Sequence, residues 1–344
     1  MTTVLTIAAA ILIFALMIFV HEFGHFIVAK LVGIRVLEFA IGMGPKVLSW
    51  GKGETRYSIR IIPIGGFCAM EGEDKDSNDP KAINNKPAWQ RLLVLAAGAF
   101  MNILLGFMLL LFMMAQGSHM ATNVIGMVES GSAAYESGLM PGDEILKVSG
   151  KRTNIAAEVT WEAGRRGAEE TEFLVKRGAE KISVLVTPRE TDGAYRFGFT
   201  LANVENNFGH SLKTAYHGTF FYGKLIISSI VDLFRGKVEI TQLSGPIGIV
   251  SEIGSAVQET AKTGMEGFLN LINLAVLLTI NLGIFNLLPI PALDGGRIFF
   301  VLVEMIIGKK IPPEKEGMIH FAGFAILILL SVMVAVMDVL KFRG

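Results

Sequence analysis

Four stretches of the sequence are apolar enough to cross a lipid bilayer, whose hydrocarbon core takes about 20 residues of helix. Val4–Val20, Leu92–Ala115 and Phe321–Met337 each contain a single polar side chain. The fourth stretch, Phe268–Leu288, instead contains Asn270, Asn273, Thr279, Asn281 and Asn286. Polar groups are costly in lipid, so we expect these five to face other helices. The pattern predicts a polytopic α-helical membrane protein with about four transmembrane helices.

The segment between the second and third apolar stretches has the pattern of a soluble domain. In residues 181–187 the β-branched Ile182, Val184 and Val186 recur at every second position, which predicts a strand. Pro141-Gly142-Asp143 predicts a turn before a further strand. We therefore expect residues 121–203 to form one α+β domain, since a segment of this length can bury one modest core.

The next segment, residues 207–240, has helical periodicity without being apolar enough to span a membrane. Within it, Lys213, Lys224, Asp232 and Arg235 interrupt the apolar run. This favours an interfacial amphipathic helix that lies on the bilayer surface. The predicted organisation is then residues 1–115 with two transmembrane helices and their connecting loop, the domain at 121–203, the interfacial helix, and residues 241–344 with the last two transmembrane helices.

Composition supports a membrane protein and excludes two other classes. Hydrophobic residues make up 51% of the chain and charged residues 18%, whereas charged residues are about 25% of a typical soluble domain. A formal net charge of zero gives no electrostatic support for nucleic-acid binding. The one cysteine, Cys68, excludes an internal disulfide and a Cys-rich metal site, and is most simply a small core residue.

Basic residues are concentrated in two connecting segments. Residues 30–91 carry ten Lys and Arg, and residues 297–315 carry four. Short basic loops remain in the cytoplasm. We therefore expect both termini and the domain at 121–203 to lie outside the cytoplasm.

Gly117-Ser-His-Met120 has two interpretations. It is either native sequence or the residue string that removal of an affinity tag commonly leaves. His119 is therefore excluded from any metal assignment.

His21-Glu22-Phe23-Gly24-His25 is the clearest chemical signal. Two His residues at positions i and i+4 of a helix lie on one face, so their imidazoles can bind one Zn²⁺, and the intervening Glu22 can take a proton from water at the metal. The motif also occurs by chance in ordinary helices. Here it ends a 17-residue apolar run, where such residues are disfavoured without a function.

A third ligand is required, because catalytic zinc sites usually have three protein ligands. Asp294 follows the end of the polar fourth stretch, where Pro289 and Pro291 break the helix and Gly295-Gly296 permits a sharp turn. Irregular backbone at membrane depth is tolerated where it lines protein or a wet cavity, and an Asp there needs a cation. An ordinary Asp-Gly turn at the membrane surface is the alternative.

Together, His-Glu-x-x-His in the first apolar helix and Asn-x-x-Pro-x-Pro-x-Leu-Asp-Gly in a late one resemble the site-2 protease family. Further similar elements are Ile41–Pro45, Arg60–Phe67, Gly98–Asn102 and Leu243–Gly248. The resemblance implies an intramembrane zinc metalloprotease of the bacterial cytoplasmic membrane, with His21, His25 and Asp294 as zinc ligands and Glu22 as the catalytic base.

The resemblance also implies the partners of such an enzyme. Its substrates would be single-pass membrane proteins that another protease has already cut, such as an anti-sigma factor or a similar regulator, with remnants of signal peptides as a further class. The hydrolysed peptide bond would lie in or near a transmembrane helix.

Within the soluble domain, Gly131–Gly150 resembles the helix–turn–strand core of a PDZ domain, inserted between helices two and three. Arg196, Phe197, Gly198 and Phe199 resemble its carboxylate-binding loop, and Ile155–Arg166 its groove helix. We expect a docking or size-filtering role, with a purely structural cap as the alternative.

The segment after the first helix resembles the family's membrane-associated β-hairpin. An exposed strand edge could hold an unwound substrate by backbone pairing. The candidate residues for this edge are Tyr57, Ser58, Ile59, Arg60, Ile61 and Ile62. A hairpin packed against lipid without substrate contact is the alternative.

Asn286 has two open roles, namely contact with the substrate or its oxyanion and helix packing through its amide. Asn102 is expected to pack helices. His210, His217 and His320 are expected to be interfacial or packing residues.

Two other functions remain for comparison. An inert scaffold whose PDZ domain tethers partners would fit a chain that lacked Glu22 or a ligand, but all of them are present. A transporter with an ion site at a broken helix would be supported by inverted repeats, which the two halves do not show.

Overall fold

The computed structural model describes residues 2–73, 75–237 and 245–341. It divides into two compact units. The membrane unit comprises Met1–Leu109 and Tyr222–Gly344, and the inserted unit comprises Leu110–Phe221. Of the sequence motifs, Leu243 and Ser244 of the segment Leu243–Gly248 lie outside the described residues, as do residues 238–240 of the predicted interfacial helix.

The helices, in chain order, are α1 (Thr2–Leu31), α2 (Ala88–Gln116), α3 (Ala133–Glu136), α4 (Ala156–Gly164), α5 (Phe208–Phe234), α6 (Pro246–Thr263), α7 (Met265–Leu287), α8 (Asp294–Ile307) and α9 (Pro313–Lys341). The strands are β1 (Val36–Trp50), β2 (Arg56–Met70), β3 (His119–Val128), β4 (Glu144–Val148), β5 (Lys151–Arg152), β6 (Thr171–Arg177), β7 (Glu180–Val186), β8 (Arg189–Thr191), β9 (Ala194–Arg196) and β10 (Phe199–Glu205). A short 3₁₀ helix covers Ile83–Asn85.

Four of the helices, α1, α2, α7 and α9, are long and apolar enough to cross a membrane. Their outward faces carry large apolar side chains, such as Leu12, Phe100 and Leu329, which are 69%, 63% and 71% exposed. Lipid would cover such surface. The four apolar stretches of the sequence therefore correspond to four candidate spanning helices, as predicted.

Two further helices of the membrane unit, α6 and α8, were not predicted. α6 begins with Pro246 at its first turn, where the missing N–H is not needed. At its start, the backbone N–H groups of Gly245 and Gly248 donate to the carboxylate of Asp338 on α9. α8 ends at Gly308, whose left-handed conformation closes the helix.

β1 and β2 form a sheet in which each strand folds back on itself. Phe39 pairs with both Tyr57 and Cys68, so the first half of β1 lies between the two halves of β2. The first half of β2 likewise lies between the two halves of β1, because Tyr57 pairs with both Phe39 and Trp50. The outer segments of this sheet are therefore residues 66–70 and 46–50.

This pairing leaves only part of the predicted substrate edge, residues 57–62, with a single neighbouring strand: Arg60 and Ile62 each have one partner residue. Tyr57, Ser58 and Ile59 are paired on both sides, so their backbone groups are not available to a further strand. Among the described residues, no strand pairs with the outer side of residues 66–70. The sequence pattern could not separate the two because both segments are rich in strand-forming residues.

A compact apolar core of the membrane unit lies between α1 and this sheet. It includes buried Ile34, Val36, Phe39 and Cys68, with Phe26 packed against them. Burial raises the pKa of the Cys68 thiol, as do the nearby carboxylates of Glu22 and Glu73, so the thiol stays protonated. This fits its expected role as a small core residue.

The inserted unit contains a six-stranded sheet with strand order β10-β3-β4-β6-β7, and β5 pairs with β4. Its core comprises fully buried Ile145, Phe173, Val175 and Val186, with α4 contributing Val159. The strand expected at residues 181–187 corresponds to β7, where alternate residues point to the core. A mixed α+β unit is therefore present between α2 and α6, and its assignment as a PDZ domain remains a prediction.

A buried ion pair fixes the turn between α3 and β4. Asp143 is almost fully buried and accepts hydrogen bonds from Nε and Nη2 of Arg177, both at 2.7 Å, and from the Met140 N–H. Burial alone would raise the pKa of Asp143, but these hydrogen bonds outweigh it and hold the pKa below its ordinary value.

Candidate metal centre

Three side chains from distant parts of the sequence meet at one point of the membrane unit. His21 and His25 lie one turn apart on α1, with their Nε2 atoms 3.2 Å apart. Oδ2 of Asp294, the first residue of α8, lies 3.1 Å from Nε2 of His21 and 3.3 Å from Nε2 of His25. Tetrahedral zinc ligands at about 2.0–2.1 Å from the metal lie about 3.3 Å from one another. The three atoms therefore match one face of a zinc coordination tetrahedron.

The carboxylate supports the same fit. Asp294 Oδ2 is buried and has no hydrogen-bond partner of acceptable geometry among the described residues. A buried, unsatisfied carboxylate oxygen is costly, and a cation held with the two imidazoles would offset that cost. Three protein ligands leave a fourth position free, as in catalytic zinc sites.

Both imidazoles are held at the ring nitrogen that faces away from Asp294. His25 Nδ1 lies 2.8 Å from the Val94 carbonyl oxygen. Since a carbonyl can only accept, His25 Nδ1 carries the proton, and its Nε2 lone pair is free for a metal.

His21 is held in the same way by Asn102 of α2. One end of the Asn102 amide lies 3.2 Å from His21 Nδ1, while Asn102 Oδ1 has no hydrogen-bond partner among the described residues. The two ends of an amide are interchangeable by rotation. With Oδ1 toward the ring, Asn102 accepts from His21 Nδ1–H, and His21 Nε2 is free for a metal.

The absence of a side chain at Gly98 of α2 leaves room for the imidazoles of α1, although the two helices lie close together. A Cβ atom at Gly98 would lie 2.7 Å from Cε1 of His21, closer than side chains tolerate. Gly98 and Asn102 are one turn apart on α2, so this motif both admits the His21 ring and orients it.

The turn before α8 is folded tightly enough to bring Asp294 to the site. A Cβ atom at Gly295 would clash with the Leu287 and Leu288 carbonyl groups. Ala292 has a φ of +82°, a strained value for a residue other than glycine. Its backbone N–H donates to Nδ1 of His320 on α9 at 2.8 Å, which holds the strained turn.

A cavity of about 440 Å³ adjoins the three ligands. Glu22 lines it beside His21 and His25, and so do residues 67–70 of the outer segment of β2. A Cβ atom at Gly66 would lie 3.3 Å from Cγ of Glu22. The backbone of this outer segment therefore passes next to the candidate base.

An ion pair forms part of the cavity wall. Nη1 of Arg297 lies 2.6 Å from Oε1 of Glu73. Both residues also line a second cavity of about 310 Å³, which continues toward Arg91, Glu304 and the start of α9. The two cavities therefore have this ion pair in common in their walls.

The other predicted site residues lie elsewhere. Asn286 is buried in the last turn of α7 and is not among the described residues that line the 440 Å³ cavity. Arg196, Phe197, Gly198 and Phe199 belong to the inserted unit, where the Phe197 and Phe199 rings pack against Phe173. His119 is the first residue of β3 in the inserted unit.

Sequence reasoning missed the roles of three residues near the centre. Asn102 was expected to pack helices and His320 to be interfacial or packing, yet they contact His21 and Ala292. Arg297 was counted only as a loop charge. Gly98–Asn102 was a usable signal, because a small residue one turn from an amide permits close contact with another helix.

Comparisons with known proteins agree with this geometry. A model of peptidase family M50 matches residues 9–330. A protein of Clostridium perfringens, named as a predicted zinc metalloprotease, is 37% identical over 96% of this chain and 97% of its own length. The zinc metalloprotease RasP of Geobacillus kaustophilus is 30% identical over 99% of both chains.

The regulator of sigma-W protease RasP of Bacillus subtilis is 31% identical over 97% of this chain and 98% of its own length. Both RasP alignments extend over 423 positions, more than the 344 residues of this chain. These relatives therefore contain inserted segments that this chain lacks.

Proposed function

The chain belongs to peptidase family M50, the site-2 proteases, and is a zinc metalloprotease, and from this premise we propose that it hydrolyses peptide bonds in or near the transmembrane helices of other membrane proteins. The observation that carries the proposal is the location of the candidate centre. His21 and His25 lie in α1, one of the four helices that can cross a membrane. A metal held by these residues would be within reach of peptide bonds that lie at membrane depth.

We assign His21, His25 and Asp294 as the zinc ligands and Glu22 as the catalytic base. Bound zinc supplies Lewis acidity toward the scissile carbonyl and toward water. Glu22 then accepts the proton of the attacking water and passes it to the amine that leaves. Asn102 and the Val94 carbonyl hold the imidazoles, so neither ring has to reorient during turnover.

The substrate segment pairs with residues 66–70 at the outer edge of the β1–β2 sheet. A peptide bond inside a helix is protected by its own hydrogen bonds, so the helix must unwind before it is cut. A free strand edge offers replacement hydrogen bonds to the unwound stretch. This edge also passes next to Glu22. Arg60, Ile61 and Ile62 belong to the same sheet. Asn286 has the two predicted roles, contact with the substrate or its oxyanion and helix packing.

The substrates are single-pass membrane proteins that another protease has already shortened. A cavity of about 440 Å³ accommodates part of an extended chain and excludes a folded ectodomain. The name of the Bacillus subtilis relative refers to regulation of sigma-W, which supports an anti-sigma factor as the natural substrate. Remnants of signal peptides have the same single-helix form and make a second class.

The inserted unit serves as a PDZ-type filter outside the cytoplasm. Its edge strand β10 begins at Phe199, which is also the last residue of the predicted carboxylate-binding loop Arg196–Phe199. β10 pairs with β3 on one side. An extended chain end could therefore pair with β10 while the loop binds its carboxylate. The basic segments 30–91 and 297–315 support an extracytoplasmic location for both termini and this unit.

The test replaces the base and leaves the ligands intact. Because Glu22 is not a zinc ligand, Glu22→Gln should keep its zinc while losing about 10²–10⁴-fold in cleavage rate. Zinc content is measured by atomic absorption, and cleavage of a model transmembrane substrate is followed on gels. The same change at the exposed Glu54, which pairs with Lys30 and Lys81, provides the control. Cleavage by Glu22→Gln at a rate close to the control would reject the assignment.

A further inference from the structure

The sheet of the inserted unit has a second face, turned away from its hydrophobic core. Along β4 and β6, Ile145 and Val175 point into the core. Their neighbours Glu144, Leu146 and Leu174 point the other way and line a cavity of about 380 Å³. The cavity on this face is separate from the hydrophobic core and from the predicted peptide groove at β10.

The cavity has a strongly positive lining. Lys147, Arg152, Lys181 and Lys213 all line it, and Glu144 is the one acidic residue among those described there. Lys176, directly opposite Lys181 in the β6–β7 pair, adds a further cation on the same face. Like charges directly opposite each other destabilise a sheet. Glu144 of β4 lies opposite Lys176 on the other side of β6, and a further anion in the cavity would offset the remaining positive charge.

The four lining cations differ from other basic residues of the same unit. Lys151, Arg166, Arg177 and Arg189 each lie within 4.0 Å of a carboxylate. None of Lys147, Arg152, Lys181 and Lys213 does so within the part of the chain that the structure describes. Unpaired cations are thus gathered around the cavity, where they focus the field on one small space.

An apolar face of α5 lies next to these cations. On α5, Phe208, Leu212, Tyr216 and Phe220 recur every four residues and are 70%, 41%, 53% and 63% exposed. Lys213 follows directly after Leu212 on the same helix and lines the cavity. A second cavity of about 310 Å³ continues along the first turns of α5 and shares Lys213 with the first.

We propose that this cation-lined cavity binds the phosphate headgroup of an anionic phospholipid, with the α5 stripe lying against the acyl chains. A phospholipid combines the two features that adjoin here, a negative phosphodiester and an apolar tail. Aromatic and aliphatic residues on one helix face with lysine beside them are typical of helices that lie in the membrane interface. The headgroup would anchor the inserted unit to the bilayer surface.

Other anions fit less well. Inorganic phosphate has no apolar part that could contact the α5 stripe. An acidic peptide would need strand edges for backbone pairing, but β4 and β6 are already paired on both sides.

The experiment measures lipid binding to the full-length protein in detergent by native mass spectrometry. Phosphatidylglycerol should bind tightly at one site that phosphatidylcholine does not occupy. Each Lys or Arg near an anionic surface is worth about fivefold in affinity. Lys147→Gln/Lys181→Gln should therefore bind phosphatidylglycerol roughly thirtyfold more weakly. The control Arg166→Gln/Arg189→Gln changes the net charge equally, outside the cavity, and should bind like the unaltered protein.

A second variant tests the same site by gain of affinity. Glu144→Gln removes the acid from the cavity lining and should tighten phosphatidylglycerol binding by about fivefold, which decides the question even if the lysine variant does not fold. Equal binding by the lysine variant and its control would overturn the proposal. So would displacement of phosphatidylglycerol by inorganic phosphate or by an acidic peptide at equal concentration, because either ligand lacks the acyl chain.

Discussion

The two units of this chain differ in where their apolar and polar side chains lie. In the inserted unit, Ile145, Phe173 and Val175 are completely buried in an apolar core. In the membrane unit, Leu12 and Leu329 point outward, whereas polar side chains are buried between helices, namely His21, His25, Asn102, Thr279, Asn286 and Glu304. The inserted unit is organised as a domain in water, whereas the membrane unit combines an apolar outer surface with polar contacts between its helices.

The difference follows from the solvent of each unit. Burial of apolar surface stabilises a domain in water. Between helices in lipid it contributes little, since lipid tails are as apolar as leucine, and specific polar contacts and small residues determine the packing instead. Substitution of a buried residue should therefore affect stability in one unit and metal binding in the other.

The largest effect is expected at Asp294. Asp294→Ala removes the only carboxylate among the proposed ligands, so the protein should lose zinc and at least about 10³-fold of its activity. Asp338→Ala is the matched control, because this Asp is also buried but accepts hydrogen bonds from Gly245 and Gly248. It should keep its zinc. Atomic absorption and the cleavage assay measure both, and a zinc-replete, active Asp294→Ala protein would mean that another residue is the third ligand.

Phe173→Ala should have the largest effect on stability. Truncation of a fully buried Phe typically costs about 3–5 kcal/mol of unfolding free energy. Trp161 is the only tryptophan of the inserted unit, so its fluorescence in a Trp50→Phe/Trp89→Phe background reports urea unfolding of this unit alone. Zinc content should stay unchanged. Loss of zinc in this variant would show that the two units do not respond independently.

Asn102→Ala should affect the metal and leave the fold intact. Removal of the group that orients a ligating His typically costs about 10–100-fold in metal affinity. Competition with a chelator measures that affinity. Asn102→Asp should restore it, since a carboxylate also accepts from His21 Nδ1–H. Asn281→Ala, which removes another amide from a membrane helix, is the control. Equal zinc affinity of Asn102→Ala and this control would reduce Asn102 to a packing residue.

The smallest expected effect is on the unfolding free energy that the Asp143–Arg177 pair contributes, and this contribution depends on pH. The pKa of Asp143 is held below its ordinary value in the folded state, so the pair contributes stability above the unfolded pKa of about 3.9 and loses it as pH falls through the folded value. Asp143→Asn should therefore cost about 1.5 kcal/mol at pH 7, and this difference should shrink at acidic pH. Trp161 fluorescence during urea unfolding measures it. A difference that stays constant down to the acid limit would contradict the assignment.

Much of the membrane unit could be predicted from local pattern. Four apolar stretches predicted four long helices, since spanning a bilayer requires one continuous run of apolar residues. His21 and His25 were recognisable because helix geometry alone puts residues i and i+4 on one face. Asp294 was a candidate because of the helix-breaking prolines before it and the glycines after it, and the resemblance to the site-2 protease family then favoured it over an ordinary turn.

The contacts around those residues could not be predicted in this way. Asn102 is 81 residues from His21 in the sequence, and an amide in a membrane helix can pack against any neighbour. The edge of the β1–β2 sheet depends on how each strand folds back on the other. Its sequence favours strand throughout and does not specify which half lies outside.

The sequence by itself therefore determined the family, the four apolar helices and the candidate zinc ligands, because each depends on residues close together or on a motif with fixed spacing. The tertiary structure alone decided that Asn102 contacts His21 and that His320 holds the strained turn at Ala292. It also decided that residues 66–70 lie at the outside of the β1–β2 sheet, where no other described strand pairs with them. Each of these is a contact between segments distant in sequence, and its energy depends on a close approach, such as that of α2 to α1 at Gly98, that local patterns do not encode.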